Sequence, residues 1–189
     1  MKNLLVIYMN LPLKKKETHN SGTLRRTIRR QLICTCRCRL QCFPIILLAR
    51  EPLWQHLINY RCGTGHSVSH VGNVHEGPHA LNGRNTTVFK PGMIVTDEPG
   101  VYEGGVVGIR IENELECYHK ASNQYGEFLA FRPITFVPIA TSPIVPGVLS
   151  RDELDWLNAY HREVFEKLAP RLTEDERDWL AKKCAAIGA

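Results

Sequence analysis

Long apolar runs are absent from this chain of 189 residues. No uncharged apolar stretch approaches the roughly 20 residues that a membrane-spanning helix needs. Residues 4–9 form a short apolar run that precedes the lysines at 14–16, whereas the positive charges of a signal peptide come before its apolar run. We therefore expect no membrane anchor, no signal peptide and a cytoplasmic protein.

Acidic residues are scarce in the first part of the chain. Residues 1–50 contain 11 Lys and Arg against the single acid Glu17, a net charge of +10, while residues 51–189 contain 13 against 18, a net charge of −5. Residues 1–65 contain no aspartate at all. The chain therefore combines a basic segment with a mildly acidic remainder.

Cysteine, in contrast, is concentrated in the basic segment. Four of the seven cysteines form the string CTCRCRLQC, at Cys34, Cys36, Cys38 and Cys42. The spacing matches the paired C-x2–4-C knuckles of zinc modules poorly, and no second pair follows, so we disfavour a structural zinc site. The other three cysteines are far apart in sequence, and we interpret them as free thiols.

Four short motifs between residues 63 and 113 each place a potential metal ligand beside Gly or Pro. They are GTGH at His66, NVHEGP at His75, DEPG at Glu98 and GIRIEN at Glu112. Imidazole and carboxylate are the ligands that catalytic divalent ions use, and the neighbouring Gly and Pro restrict the backbone at each ligand. The motifs therefore indicate a metallohydrolase.

Periodicity predicts how two of these motifs meet. A strand at residues 93–96 should end at Glu98, and a second strand at residues 106–117 should pair with it in a hairpin across Gly104 and Gly105. Arg110 and Glu112 share one face of the second strand. The hairpin would bring the two glutamates together.

The remaining elements follow from apolar patterns and capping signals. The sequence predicts a helix at residues 48–57 with Pro52 in its first turn, and a strand at residues 127–139. It also predicts two C-terminal helices, one from the capping box at Ser150 to Pro170 and one from Thr173 to Gly188. We expect His79, His119 and His161 to be exposed to solvent.

The motifs resemble those of the Xaa-Pro aminopeptidases (aminopeptidase P) in the M24 metallopeptidase family, whose pattern is GTGHGVG, NVHEGP, EPGxY and GIRxEN. GTGH, NVHEGP, EPGVY and GIRIEN occur here in the same order, with Ser67 and Ser69 in place of the two glycines that follow GTGH, and the resemblance covers about three quarters of the chain. It implies an α+β chain, in which residues 47–126 form the C-terminal half of a pita-bread catalytic domain and residues 127–189 form a helical C-terminal extension. It also implies hydrolysis of the N-terminal residue from peptides with proline in second position.

The resemblance implies roles for individual residues. His66 and Glu98 would each bind a divalent metal, Glu112 would bridge two ions, and Mn²⁺ is the expected metal. His75 would stabilise the tetrahedral intermediate by donating a hydrogen bond or a proton. Arg110 would orient the carboxylates, and Cys62 would help to shape the substrate pocket.

The basic segment at residues 1–46 departs from the family pattern. The family site has five protein ligands, of which two are aspartates upstream of GTGH, and residues 1–65 cannot supply them. We interpret residues 1–46 as an out-of-frame or non-native segment, in preference to a nucleic-acid-binding arm built on the arginines at residues 25–30. The chain is then incomplete and inactive alone.

An alternative to the enzyme is a non-catalytic remnant of the pita-bread fold that binds peptides or proteins. Either chain would have an unpaired sheet edge, so we also expect association with a second copy, such as a homodimer.

Overall fold

The computed structural model describes residues 36–37, 42–105, 107–144 and 147–188. The predicted nucleic-acid patch at residues 25–30, together with Cys34 and Cys38 of the cysteine string, lies outside these residues. The elements are β1 (Cys36–Arg37), α1 (Cys42–Trp54), β2 (Gly65–His66), β3 (Ala80–Leu81), β4 (Ile94–Asp97), β5 (Gly100–Glu103), β6 (Val107–Arg110), β7 (Asn113–Asn123), β8 (Gly126–Pro133), α2 (Arg151–Leu168) and α3 (Glu174–Lys183), with a 3-10 turn (Ala169–Arg171) between α2 and α3. The described chain is α+β, as predicted.

The largest sheet has four antiparallel strands in the order β1-β8-β7-β4. The described strands also form two smaller ladders, one between β2 and β3 and one between β5 and β6. Within the described residues, no helix combines the length and the apolar character needed to cross a membrane.

The predicted hairpin is present in a different form. The tight connection across Gly104 and Gly105 joins β5 to β6, whereas β4 pairs with β7, in a register that sets Asp97 opposite Asn113. Residues 98–99 thus face residues 111–112 in a break between the two ladders. Pro99 explains the break, because proline has no N–H to donate to a ladder. The prediction of one continuous strand over residues 106–117 was therefore wrong.

Helix α1 begins earlier than predicted, at Cys42 rather than at residue 48. Pro44 lies in its first turn and Pro52 lies near its end, so the predicted place of Pro52 was wrong. The buried side chains of Ile45, Ala49 and Leu53 recur every four residues and fix the helix to the core. The boundary predicted after residue 46 falls inside this helix.

The end of α1 has an unusual residue in its C-terminal cap. Ile58 N donates to Leu53 O (3.0 Å) and Leu57 N donates to Trp54 O (2.9 Å), which is the Schellman pattern. The residue that must adopt the left-handed conformation is Leu57, with φ of 58°, and its side chain is 98% exposed. Glycine is the usual residue at this position because a Cβ is strained there.

The C-terminal part confirms both predicted capping boxes, at Ser150 and at Thr173. Helix α2 ends before Pro170, as predicted. Helix α3 ends at Lys183 instead of Gly188 because the Asn158 side chain holds Ile187 outside the helix, donating to its O (3.1 Å) and accepting from its N (2.9 Å). The strand predicted at residues 127–139 also ends early, at Pro133.

Two of the three histidines that were predicted to be exposed are buried. His79 Nε2 donates to Ile94 O (2.7 Å), and His161 Nε2 accepts a hydrogen bond from Ile139 N (3.1 Å). Each imidazole fills a space where a backbone group needs a partner. His119 is exposed, as predicted.

Two apolar clusters stabilise the part of the chain that the structure describes. The larger one joins α1, the four-stranded sheet and the C-terminal helices, with members such as Ile45, Val95, Leu115, Leu157 and Val164. The smaller one consists of Leu53, Tyr60, Val101 and Ile109, and it joins α1 to the β5–β6 hairpin. The break between ladders lies at the end of this hairpin.

Candidate functional site

Strand β2 brings His66 against β4. His66 N donates to Thr96 Oγ1 (2.9 Å), and Glu98 N donates to Thr64 O (2.8 Å). A Cβ on Gly65 would lie 1.8 Å from Thr96 O, so only glycine permits this approach. The second glycine of the GTGH motif is therefore required by packing.

His66 and Glu98 are in direct contact. His66 Nε2 lies 3.1 Å from Glu98 Oε1, and both side chains are largely buried. The other ring nitrogen, Nδ1, lies 3.0 Å from Ser67 O, which can only accept a hydrogen bond. Nδ1 is therefore the donor to this carbonyl, and Nε2 is the ring nitrogen that is directed at the glutamate.

Arg110 connects the two predicted glutamate ligands. One terminal nitrogen lies 3.4 Å from Glu98 Oε2 and the other lies 3.8 Å from Glu112 Oε2. The guanidinium carbon also lies 5.9 Å from the centre of the Tyr102 ring. A positive charge therefore lies within ion-pair distance of both carboxylates.

His75 lies beside His66 on an exposed loop. The ring centres are 3.9 Å apart and the ring planes are inclined by 40°. Backbone hydrogen bonds close the loop at its base, from Ser67 N to His79 O (3.2 Å) and from Glu76 N to Ser67 O (3.2 Å). The exposed His75 ring is available to a molecule that approaches His66 from solvent.

Cys62 packs against the smaller apolar cluster, near the break between the two ladders. Its half-buried thiol donates to Gly100 O (3.3 Å), and it packs with Tyr60, Val101 and Ile109. The thiol thus contacts the first residue of β5, immediately after Glu98 and Pro99.

The carboxyl groups near the break repel one another. Burial and the charge of Glu98 raise the pKa of Glu112, while Arg110 and His66 partly offset the rise. Asp97 is fully buried, and its burial, together with the charges of Glu98 and Glu112, raises its pKa well above 3.8. Burial alone would lower the pKa of Arg110, but Tyr102, Glu98 and Glu112 raise it above its ordinary value. The site therefore favours any further positive charge.

The donor set fits a divalent ion in part. Two ligands of one ion, each bound at about 2.1 Å, must lie within roughly 4.2 Å of each other, and His66 Nε2 and Glu98 Oε1 meet this limit. Glu112 is linked to this pair through Arg110. Across residues 36–37, 42–105, 107–144 and 147–188, no group of three or more His, Cys, Asp or Glu side chains is arranged to hold one metal ion.

Thr96 and Asp97 contribute to the site and were not predicted from the sequence. Thr96 Oγ1 accepts from His66 N and lies 3.3 Å from Glu98 Oε1. Thr96 lies two residues before Glu98 on β4, so the strand period could have identified it. Asp97 points to the opposite face, and only the packing shows that its carboxyl group is near the glutamates.

Two known sequence families match this chain. The metallopeptidase family M24 matches residues 23–118, and the C-terminal region of peptidase M24 matches residues 127–187. A probable Xaa-Pro aminopeptidase P from Coprinopsis cinerea is 44% identical over 147 residues, which are 74% of this chain and 24% of that protein. Aminopeptidase P2 from Arabidopsis thaliana is 45% identical over 138 residues, which are 70% of this chain and 19% of that protein. The chain spans about a quarter or less of these relatives.

Solved structures show the same relationship. X-prolyl aminopeptidase from Caenorhabditis elegans, a cytosolic enzyme with a di-nuclear active site, is 33% identical and superposes with a TM-score of 0.84. The match covers 95% of this chain and 30% of that one. Prolidase from Pyrococcus furiosus, at 21% identity and a TM-score of 0.53, shares the fold alone. The solved neighbours are pita-bread enzymes, and the described chain has the corresponding α+β architecture with a helical C-terminal part.

Proposed function

Since the chain belongs to the metallopeptidase family M24, we propose that it carries the C-terminal part of an Xaa-Pro aminopeptidase site. In this proposal His66 and Glu98 would be ligands of a divalent metal, with Mn²⁺ as the expected ion, and Glu112, which Arg110 links to Glu98, would be shared with a second ion. The observation that carries the proposal is the contact of 3.1 Å between His66 Nε2 and Glu98 Oε1. The substrate class is a peptide with proline in second position.

The side chains around this contact suit peptide hydrolysis. His75, exposed beside His66, would donate a hydrogen bond to the carbonyl oxygen of the scissile bond as negative charge develops there. Glu98 would accept a proton from the attacking water. Arg110 would keep both carboxylates oriented toward the site, and Cys62 would shape the pocket behind it.

The metal would supply polarisation of the scissile carbonyl and activation of the attacking water. The ligand set in this chain is smaller than the family requires, because residues 1–96 contain no aspartate. We therefore propose that the chain is inactive by itself. The same proposal has three further parts. The chain has two regions, with residues 47–126 as the catalytic half and residues 127–189 as the C-terminal region. It is located in the cytoplasm, and it associates with a second copy.

A second candidate is a non-catalytic module that binds peptides. The small ligand set favours it, because the described residues contain no three-ligand group. In this case, the cleft would retain peptide affinity without a metal.

Peptide binding with and without a chelator tests the two candidates. We expect an Xaa-Pro peptide to bind the Mn²⁺-loaded chain, and we expect EDTA or Glu112→Ala to abolish the binding, while Glu103→Ala, on the exposed end of β5, leaves it unchanged. Binding that resists both EDTA and Glu112→Ala would favour the non-catalytic module. Hydrolysis of the peptide by the chain alone, lost in Glu112→Ala, would contradict the proposed inactivity.

A further inference from the structure

A tyrosine of the C-terminal region reaches the strand that follows Glu112. Tyr160 of α2 is 4% exposed, and its hydroxyl lies 3.1 Å from Asn113 Oδ1, 3.0 Å from Thr135 O and 2.9 Å from Val137 O. Tyr160 belongs to the part that matches the C-terminal region of the family, whereas Asn113 belongs to the part that matches the catalytic family. The hydroxyl thus joins the two parts at one buried point.

The hydrogen-bonding groups of Tyr160 and Asn113 support this contact. The hydroxyl has one proton but three neighbouring acceptors, and Asn113 Nδ2 has no hydrogen-bond partner among the described residues in this orientation. If the amide is turned over, Nδ2 donates to the tyrosine oxygen, and the hydroxyl is free to donate to Val137 O. The turned amide gives the tyrosine hydroxyl one donor and one acceptor as neighbours, so the contact between the two side chains is a hydrogen bond in either orientation of the amide.

The tyrosine ring is itself held in place. It stacks on Trp156, with ring centres 5.7 Å apart and an interplanar angle of 14°. Burial raises the pKa of Tyr160 to about 12, against the opposing effect of the bond to Val137, so the hydroxyl keeps its proton at neutral pH. The adjacent His161 anchors the same helix to Ile139 N. Helix α2 therefore presents the hydroxyl at a fixed position.

Glu112 depends on its neighbours for its position. It lies in the break between the β5–β6 and β4–β7 ladders, so no ladder pair holds it directly. Arg110 ends β6 on one side of the break, and Asn113 begins β7 on the other. Whatever fixes Asn113 limits where the Glu112 carboxylate can lie.

We propose that Tyr160 is a positioning residue that fixes Glu112 through Asn113 and so couples the C-terminal helical region to the candidate metal site. The effect on metal binding rests on the function proposed above, whereas the coupling between Tyr160 and residues 112–113 does not. The two parts are tested by separate measurements on the full chain.

Hydrogen exchange of the segment 111–115, followed by mass spectrometry, tests the coupling. We expect Tyr160→Phe to speed the exchange about tenfold, because it removes only a hydroxyl and its hydrogen bonds. In a chain that already carries Asn113→Ala, Tyr160 keeps its bonds to Thr135 and Val137. Tyr160→Phe should then increase the exchange of this segment little further. Asn158→Ala, which removes two hydrogen bonds of the same helix to Ile187, is the matched control and should leave the segment unchanged.

Mn²⁺ affinity is the second readout, and we expect Tyr160→Phe to weaken it about tenfold while Asn158→Ala does not. Exchange that is unchanged in Tyr160→Phe, or equally faster in Asn158→Ala, would overturn the coupling. If the unmodified chain binds no Mn²⁺ while the exchange results hold, the proposed metal ligands are wrong and the coupling stands.

Discussion

His66 Nε2 and Glu98 Oε1 lie 3.1 Å apart, although the two residues come from separate motifs on β2 and at the end of β4. The contact exists because Gly65 lets β2 approach Thr96 and because His66 Nδ1 is directed at Ser67 O. An imidazole nitrogen and a carboxylate oxygen at this distance can both reach one bound cation.

The positive charge of Arg110 should lower the pKa of Glu112. In Arg110→Gln we expect this pKa to rise further, because the guanidinium that favours the ionised carboxylate is gone. Carbon-13 NMR titration of the Glu112 carboxyl group measures the shift. Arg132→Gln, which breaks the pair between Arg132 and Glu116, is the control and should leave Glu112 unchanged. If the pKa of Glu112 is the same in Arg110→Gln, the ion pair with Arg110 has no influence on that pKa.

Asp97 should make the fold less stable as pH rises. Its folded pKa is raised well above the ordinary 3.8, so between 3.8 and the folded pKa the native state holds a proton that the unfolded state has lost. Stability therefore falls as pH increases through this window. We expect Asp97→Asn to be more stable than the unmodified chain at pH 7, with the difference shrinking toward pH 4, in urea unfolding. A difference that is independent of pH would contradict the raised pKa.

Gly65→Ala should be strongly destabilising. The new Cβ would lie 1.8 Å from Thr96 O, a backbone atom, so β2 or β4 must move, and we expect a loss of about 3 kcal/mol in the free energy of unfolding. Gly63→Ala is the matched control in the same motif, because its Cβ would meet nothing within 4 Å. Thermal unfolding compares the two variants. Equal melting temperatures would refute the close approach.

Leu57→Gly should stabilise the chain. Leu57 occupies the left-handed position of the α1 cap, with φ of 58°, and relief of the strain is worth about 1 kcal/mol. Leu57→Ala removes the exposed side chain but keeps the Cβ, so it should bring no comparable gain. Denaturant unfolding of both variants checks this. A similar gain in both would point to the exposed leucine rather than to backbone strain.

The sequence motifs named side chains that the structure brings into contact, since His66 touches both Glu98 and His75, and Arg110 lies within ion-pair distance of Glu98. Arg110 and Glu112 lie 3.8 Å apart, as their predicted common face requires, although they do not belong to one continuous strand. Both capping boxes were recognised at Ser150 and Thr173. The ladder break was missed, although Pro99 marks it. The pairing of β4 with β7 depends on register beyond the break, which local periodicity does not contain.

Other features depend on tertiary contacts and could not be predicted. The start of α1 was missed because residues 42–47 are almost wholly apolar and show no polar alternation. His161 is buried because Ile139 N needs an acceptor, and His79 is buried because Ile94 O needs a donor. The roles of His75, Cys62 and the predicted metal ligands remain predictions.

Isothermal calorimetry of the full chain with Mn²⁺ measures whether His66 and Glu98 bind a metal ion. We expect the unmodified chain to bind the ion. Glu98→Gln should weaken the binding by at least about tenfold, because it removes a negatively charged ligand, and Glu103→Gln should have no effect. Absence of binding to the unmodified chain, or equal affinity in Glu98→Gln, would contradict the assignment of His66 and Glu98 as a metal-binding pair.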